Sequence, residues 1–394
     1  MAHVSTGPAR VVAHLGNRVR GRPPGEGRRL KMSAVTAIGL FVAVRLCGGI
    51  VVALAASSSG RRPLPLLGYS WDSVWYLRIA AHGYDLPKNL AFFPLYPGLV
   101  RAVTALTPLG GIAAGLLVSW AAAAVAAYGI HRVGVLLHGP AVATALVVLW
   151  GVLPHSVVLS MAYTETLLTA CAAWSLYAVL TGRWVWAGAL AALAGLSRPN
   201  GCAVTAAVLA GAAHEVWRKR GRGVPHRLWM GAALSPLGWA GYVLWVGLRK
   251  GDPLGGYFAV QRRWGSRFDF GRGALRFTEH MMLHGARLIF PMALLIVVVS
   301  TLLFVLLILD RVPLPLVVYS GVLLLIALGG AGNGYFQCKP RFLLPAFPLL
   351  IVVARALVRT ARARPWHATV VASALAGFSF AYGAFLVVFS RPAL

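Results

Sequence analysis

Apolar residues run through this chain in blocks of bilayer-spanning length, and polar residues gather in the gaps between them. The first block covers about residues 33–55. Others follow at about 92–109, 111–130, 139–158, 163–181, 184–198, 201–217, 228–248, 288–309, 313–331, 342–357 and 367–389. This pattern predicts an all-α, polytopic membrane protein. After the first block comes an aromatic-rich stretch, YSWDSVWYLRIAAHGYDLPKNLAFFPLYP at 69–97. Trp71, Trp75, Tyr76 and Ile79 crowd one side of a short helix there, as in an amphipathic helix lying on a membrane surface. Ser70 is placed to cap that helix, with Asp72 at its second position.

The polar gaps orient the spans. RKRGRGVPHR at 218–227 and VRTARARPW at 358–366 are strongly basic, which predicts that both face the cytoplasm. Counting back from 218–227 puts Arg198 and Glu165 outside, Arg183 and the His131–His138 stretch inside, and residue 110 on the same side as Asp72. The block at 92–109 then cannot cross, and Arg101 with three prolines makes it a juxtamembrane or re-entrant segment. About eleven transmembrane helices remain. The domain reading is a disordered, basic cytoplasmic tail at 1–31 and a membrane domain at 32–394. Within it, 56–110 is a large first extracytoplasmic loop carrying juxtamembrane helices, and 249–287 is a second long loop.

Composition narrows the class. With 59% hydrophobic and 12% charged residues the chain is not a soluble domain. The net charge of +28 would suit nucleic acid, but the cations lie between apolar blocks, so membrane orientation and anionic lipids explain them and no nucleic acid is expected. Cys47, Cys171, Cys202 and Cys338 have no paired spacing, so neither a disulfide framework nor a zinc site follows. The 33–55 block exceeds a signal-peptide core and reads as an uncleaved span. Arg outnumbers Lys and the spans are rich in Ala, Gly and Val, the bias of a GC-rich bacterial genome.

Nine acids occur in the whole chain, so each one near the outer face is a candidate base. Asp72 reads either as an ordinary helix-start carboxylate or as a base kept ionised by the helix dipole. Glu165, at the outer end of a span, is a capping acid or a functional one. Ser197-Arg198-Pro199-Asn200-Gly201 is a turn with a snorkelling arginine, and Lys339 and Arg341 precede a proline-bearing helix at the outer interface. Arg45, near the middle of the first span, needs a partner or a wet cavity. His280 and His284 share a helix face but lack the order of a zinc-protease motif, so no metal is expected. There is no phosphate-binding loop, dinucleotide fingerprint or serine elbow.

Trp71-Asp72, Ile79-Ala80, Gly83-Tyr84 and the run Phe92-Phe93-Pro94-Leu95-Tyr96-Pro97 resemble the PIG-V family of mannosyltransferases, multi-spanning enzymes of the GT-C type. Tyr163-Thr164-Glu165, the Arg198-x-Asn200-Gly201 turn, Gly251-Asp252-Pro253-Leu254 with Gln261, Trp264 and Gly265, and the basic residues before Leu344-Pro345 are similar to the family as well, over about residues 71–348. The resemblance implies a membrane enzyme, facing outward at a bacterial cell membrane or in the endoplasmic reticulum if eukaryotic, that takes mannose from polyprenyl-phosphate-mannose. The acceptor it implies is a hydroxyl on a lipid, glycan or protein, with inversion and no cofactor. By position Asp72 is the catalytic base; Arg198, Lys339 and Arg341 hold the donor phosphate; Trp71, Tyr76, His82, Glu165, Asn200, Gln261 and Trp264 meet acceptor or sugar. A lipid or sugar-lipid flippase would share the spans, cations and aromatics but need no base. A scaffold for envelope assembly is a further alternative.

Overall fold

The computed structural model describes residues 26–330 and 336–390. The basic tail expected at 1–31 therefore lies almost wholly outside the described residues. Among those described the fold is all-helical. In chain order the α-helices are α1 (Glu26–Ser58), α2 (Pro63–Gly68), α3 (Asp72–His82), α4 (Leu95–Leu106), α5 (Gly111–His138), α6 (Pro140–Gly151), α7 (Glu165–Leu180), α8 (Trp184–Ser197), α9 (Cys202–Arg218), α10 (His226–Leu234), α11 (Leu237–Arg249), α12 (Gly256–Arg263), α13 (Arg272–His284), α14 (Ile289–Leu309), α15 (Leu314–Gly329), α16 (Lys339–Leu343), α17 (Ile351–Ala363) and α18 (Pro365–Ala384).

Five segments are long and apolar enough to cross a bilayer: Leu30–Ser58, Gly111–His138, His226–Arg249, Ile289–Leu309 and Pro365–Phe389. A sixth, Phe336–Leu343 with Phe347–Ala363, is bent by 74°. The chain is thus a polytopic membrane protein. The expected count of eleven differs because several apolar blocks are interrupted near the same place. α6 stops at Gly151, α7 starts at Glu165, α8 stops at Ser197 and α16 is a single short turn. Non-helical backbone at membrane depth is tolerated where it is buried in protein or lines a cavity, and these breaks converge on one. α4, with 12 residues, reaches about 18 Å and cannot cross a core about 30 Å thick.

Small side chains let the helices approach closely. α5 packs on α6 and α7, α7 on α8, α8 on α10 and α11, and α9 on α15, while α1 lies between α6 and α18. Ala123, Ala126 and Ala127 on α5, Ala172 and Ala173 on α7, and Ala187, Ala191 and Ala194 on α8 are buried in one core. The seam between α8 and α10–α11 carries two glycines on each side, seven residues apart: Gly188 and Gly195 on α8, with Gly231 and Gly238 opposite, where Gly188 meets Gly231 and Gly195 meets the Trp239 backbone. A Cβ on Gly188 would strike the Gly231 carbonyl, and one on Gly238 the Ala192 carbonyl. In membranes such contacts stand in for a hydrophobic driving force.

Two local expectations are corrected. α3 is amphipathic, but its apolar side packs on protein, not on a lipid surface. Tyr76, Leu77, Ile79 and Ala80 are buried against Phe92, Tyr96 and Val100, because the chain folds back after Pro87–Ala91 and brings α4 under them. Ser70 does not cap α3 through its side chain, and Asp72 is the first helical residue. Ser73 Oγ instead accepts from Ser70 N and donates to Ser70 O, both at 2.7 Å.

Arg45 is buried, and among the described residues it has no acidic partner. Its guanidinium donates to Ser156 Oγ (2.6 Å), Gly151 O (3.0 Å) and Ser160 Oγ (3.1 Å). The mid-span cation thus satisfies the backbone and hydroxyls at the break after α6, where helical hydrogen bonds are missing.

Candidate active site

Asp72 is displayed by a strained turn. Trp71, before it, has φ 53° and ψ −116°, a conformation that costs a non-glycine residue about 1–3 kcal/mol and that is found where surrounding structure enforces it. Enforcement comes from Tyr163, whose hydroxyl lies 3.4 Å from Asp72 N and 3.5 Å from Ser70 O. Tyr163 is itself fixed, since Ser119 Oγ on α5 accepts from its N (3.2 Å) and donates to its O (3.0 Å).

The Asp72 carboxylate meets Arg341 Nη2 at 2.7 Å. Arg341 Nε lies 3.1 Å from Glu165 Oε1, and Arg198 Nη1 pairs with that same oxygen. The result is one chain of alternating charge, Asp72–Arg341–Glu165–Arg198, assembled from the starts of α3 and α7, the end of α8 and the turn of α16. It becomes less solvated inward: the Asp72 side chain is 27% exposed, Arg341 and Arg198 are 7%, and Glu165 is 1%. Both guanidiniums also lie over aromatic rings, Arg341 over Tyr163 (5.2 Å) and Arg198 over Phe342 (5.9 Å), a geometry suited to arginine's flat cation. Several donors remain without an acceptor among the described residues: Arg198 Nε, Arg341 Nη1 and Asn200 Nδ2. Buried donors left unpaired are costly, and such groups mark sites where an acceptor is missing.

A cavity of about 850 Å³ opens above this floor. It brings together seven residues singled out in the sequence: Asp72, Tyr76, Arg198, Asn200, Gln261, Trp264 and Arg341. Phe92, Trp239, Tyr257, Phe268 and Phe342 give it an aromatic wall, and Arg262 and Arg267 stand at its rim. Tyr76 is buried, with its hydroxyl 3.3 Å from Thr164 Oγ1. Burial first, and then the Asp72 carboxylate, pushes its phenol far above the ordinary range, so it remains a neutral hydrogen-bonding group. Gln261 and Trp264 also clasp the first loop. Gln261 Nε2 donates to Ala91 O (3.2 Å) and Trp264 Nε1 to Lys88 O (3.1 Å), while the Trp264 ring meets Trp75 edge-on at 5.1 Å.

Four of the expected residues lie elsewhere. Trp71 lines a separate cavity of about 540 Å³ with Arg61 and the Val387–Ser390 segment. His82 is exposed at the end of α3 and outside the large cavity. Glu165 lies beneath the floor and does not line it. Lys339 donates to the carbonyls of Ala327, Leu328 (3.4 Å) and Gly330 (2.9 Å), closing the C-terminal end of α15, where helical carbonyls lack partners. Of the aromatic wall, Trp239, Tyr257, Phe268 and Phe342 carry no signal of their own in the sequence, and neither do Arg262 and Arg267 at the rim.

Among the described residues no three His, Cys, Asp or Glu side chains group as metal ligands. His280 and His284 stack on each other with ring centroids 4.4 Å apart.

A family model described as mannosyltransferase (PIG-V) matches residues 62–237. The chain is similar to the GPI alpha-1,6-mannosyltransferase 2 proteins of Mus musculus and Rattus norvegicus, 36% identical over 141 residues, or 33% of this chain and 29% of each relative. The Cricetulus griseus protein of that name is 35% identical over 141 residues. The match thus spans under a third of these relatives' length. No solved structure matches. Asp72, Glu165, Arg198 and Asn200 lie inside the family match, whereas Gln261, Trp264 and Arg341 lie beyond it, so the resemblance expected over 71–348 is found over a shorter stretch. Over residues 62–237, somewhat under half of its length, the chain is similar to the mannosyltransferase (PIG-V) family.

Proposed function

We propose that this protein transfers mannose from polyprenyl-phosphate-mannose to a hydroxyl of a lipid, glycan or protein acceptor in the large cavity, at the outer face of the membrane and with inversion. The observation that carries this reading is the pairing of one partly solvated carboxylate, Asp72, with two buried guanidiniums in the floor of a single cavity. A base and an anion clamp are the two things the reaction needs. The acceptor oxygen attacks the anomeric carbon while the bond from that carbon to the phosphate oxygen breaks. Its electron pair leaves with polyprenyl phosphate, and the hydroxyl proton passes to Asp72. Arg198 and Arg341 stabilise the charge growing on the departing phosphate, where prearranged cations are most effective. Asn200 and Tyr76 offer hydrogen bonds to sugar hydroxyls, and the aromatic wall offers apolar faces to the sugar and the lipid chain. The family match and the named relatives support the sugar and the class of transfer.

The test is purified protein supplied with polyprenyl-phosphate-mannose and a membrane extract as acceptor source, with the mannosylated product identified by mass. Native protein should transfer mannose. Asp72→Asn, checked for folding by its thermal transition, should lose roughly 10²–10⁴-fold, the usual contribution of a general base. Undiminished transfer by folded Asp72→Asn protein would remove Asp72 from the mechanism. Movement of lipid without any transfer by native protein would favour a flippase.

A further inference from the structure

Two acids and two arginines lie at and just beneath the floor of the cavity, but they are not two separate pairs. Glu165 Oε1 takes both Arg198 Nη1 and Arg341 Nε, while Arg341 Nη2 reaches on to Asp72. Glu165 is 1% exposed, fixed at the first turn of α7, and absent from the cavity wall. It cannot touch a substrate. What it can do is set the orientation and net charge of the two guanidiniums that do.

Charge counting shows why that matters. Asp72, Glu165, Arg198 and Arg341 sum to zero. A phosphodiester donor adds one negative charge, and transfer converts it to a phosphate monoester carrying up to two. The product is therefore held more tightly than the donor by any pair of cations, and two guanidiniums with no counter-charge behind them would trap it. They would also be expensive in the empty site, since a buried ion without its partner is strongly destabilising. One carboxylate shared by both solves the two problems together.

We propose that Glu165 is a positioning residue with a second effect as counter-charge: it orients Arg198 and Arg341 toward the cavity and limits their grip on a lipid phosphate, so that the polyprenyl phosphate product can leave. The inference rests on the reading that this cavity takes a lipid phosphate. A carboxylate a few ångströms behind the cations should weaken anion binding by about tenfold or more, from Coulomb's law at an effective dielectric of about 20.

The experiment compares native protein with Glu165→Gln in detergent. Binding of a short-chain polyprenyl phosphate is measured by calorimetry, with the matching unphosphorylated prenol as control. Glu165→Gln should bind the phosphate at least about tenfold more tightly, with unchanged prenol binding. In transfer assays it should show a rapid first turnover followed by a lowered steady rate, as release becomes limiting. A purely structural role predicts the reverse, weaker phosphate binding, and either weaker or unchanged binding would overturn the proposal. Glu165→Asp keeps the charge, so tighter binding in that variant would also overturn it. If Glu165→Gln does not accumulate folded, recovery when polyprenyl phosphate but not prenol is present during solubilisation would support the proposal, and failure of that rescue would sink it. Native protein that binds no polyprenyl phosphate would overturn the lipid-phosphate reading itself, whereas native binding with no gain in Glu165→Gln removes only the role of Glu165.

Discussion

At the scale of single residues, the site distinguishes cations that look alike in the sequence. Lys339 and Arg341 are two positions apart, yet the ammonium closes the end of α15 and the guanidinium bridges Asp72 and Glu165. A lysine at 341 would offer one compact point charge in place of a flat fork and would not hold both carboxylates in the same planar geometry. Arg341→Lys should therefore lower kcat/KM for the donor about 10²-fold, within the range seen when one oriented donor is lost from a charge-stabilising site. Lys339→Met should leave donor KM close to native. Its cost should appear as a lower thermal transition in detergent, because carbonyls at the end of α15 lose their donor, a penalty of about 1–3 kcal/mol. A large rise in donor KM for Lys339→Met with an unchanged thermal transition would reverse these two assignments.

At the scale of elements, the site depends on where helices stop. The α6 break is held open by Arg45, which spans Gly151 O, Ser156 Oγ and Ser160 Oγ. Arg45→Leu removes those donors while keeping an apolar side chain, so thermal inactivation should come earlier with donor KM little altered; a selective KM effect would instead tie Arg45 to substrate. The α8 to α10–α11 seam fixes the direction in which Arg198 leaves α8. Since a Cβ on Gly238 would collide with the Ala192 carbonyl, Gly238→Leu should push the helices apart. Overpacking usually costs about 1–3 kcal/mol, and the variant should show both a lower thermal transition and weaker transfer, because Arg198 moves with α8. Normal stability in Gly238→Leu would mean that the seam is looser than its geometry implies.

At the scale of the whole molecule, orientation decides which side of the membrane reaches the cavity. The basic connection at 218–227 and the short stretch between α1 and α2 should face opposite sides. In a protein with its native cysteines replaced, single cysteines at positions 60 and 220 should be labelled by an impermeant reagent from opposite sides, with 60 reacting from outside. Labelling of both from one side would invert the proposed orientation of the site. The short helices α4, α6, α7, α8 and α15 make this measurement more informative than counting apolar blocks.

The sequence alone determined what depends on local composition and spacing. Apolar blocks at helical length declare a membrane protein, and most boundaries, such as 184–198 against the observed Trp184–Ser197 and 288–309 against Ile289–Leu309, were legible because water and lipid sort side chains block by block. Asp72, Arg198, Asn200 and Arg341 stood out because charge and turn residues are rare beside spans. Tertiary structure decided their relationships. Residues 72, 165, 198 and 341 are far apart along the chain, and nothing local says that one guanidinium serves two carboxylates, that Glu165 lies below the cavity, or that Lys339 closes a helix. Those outcomes follow from which helix ends meet, and that is set by the packing of alanine and glycine faces whose individual residues carry no chemical signature.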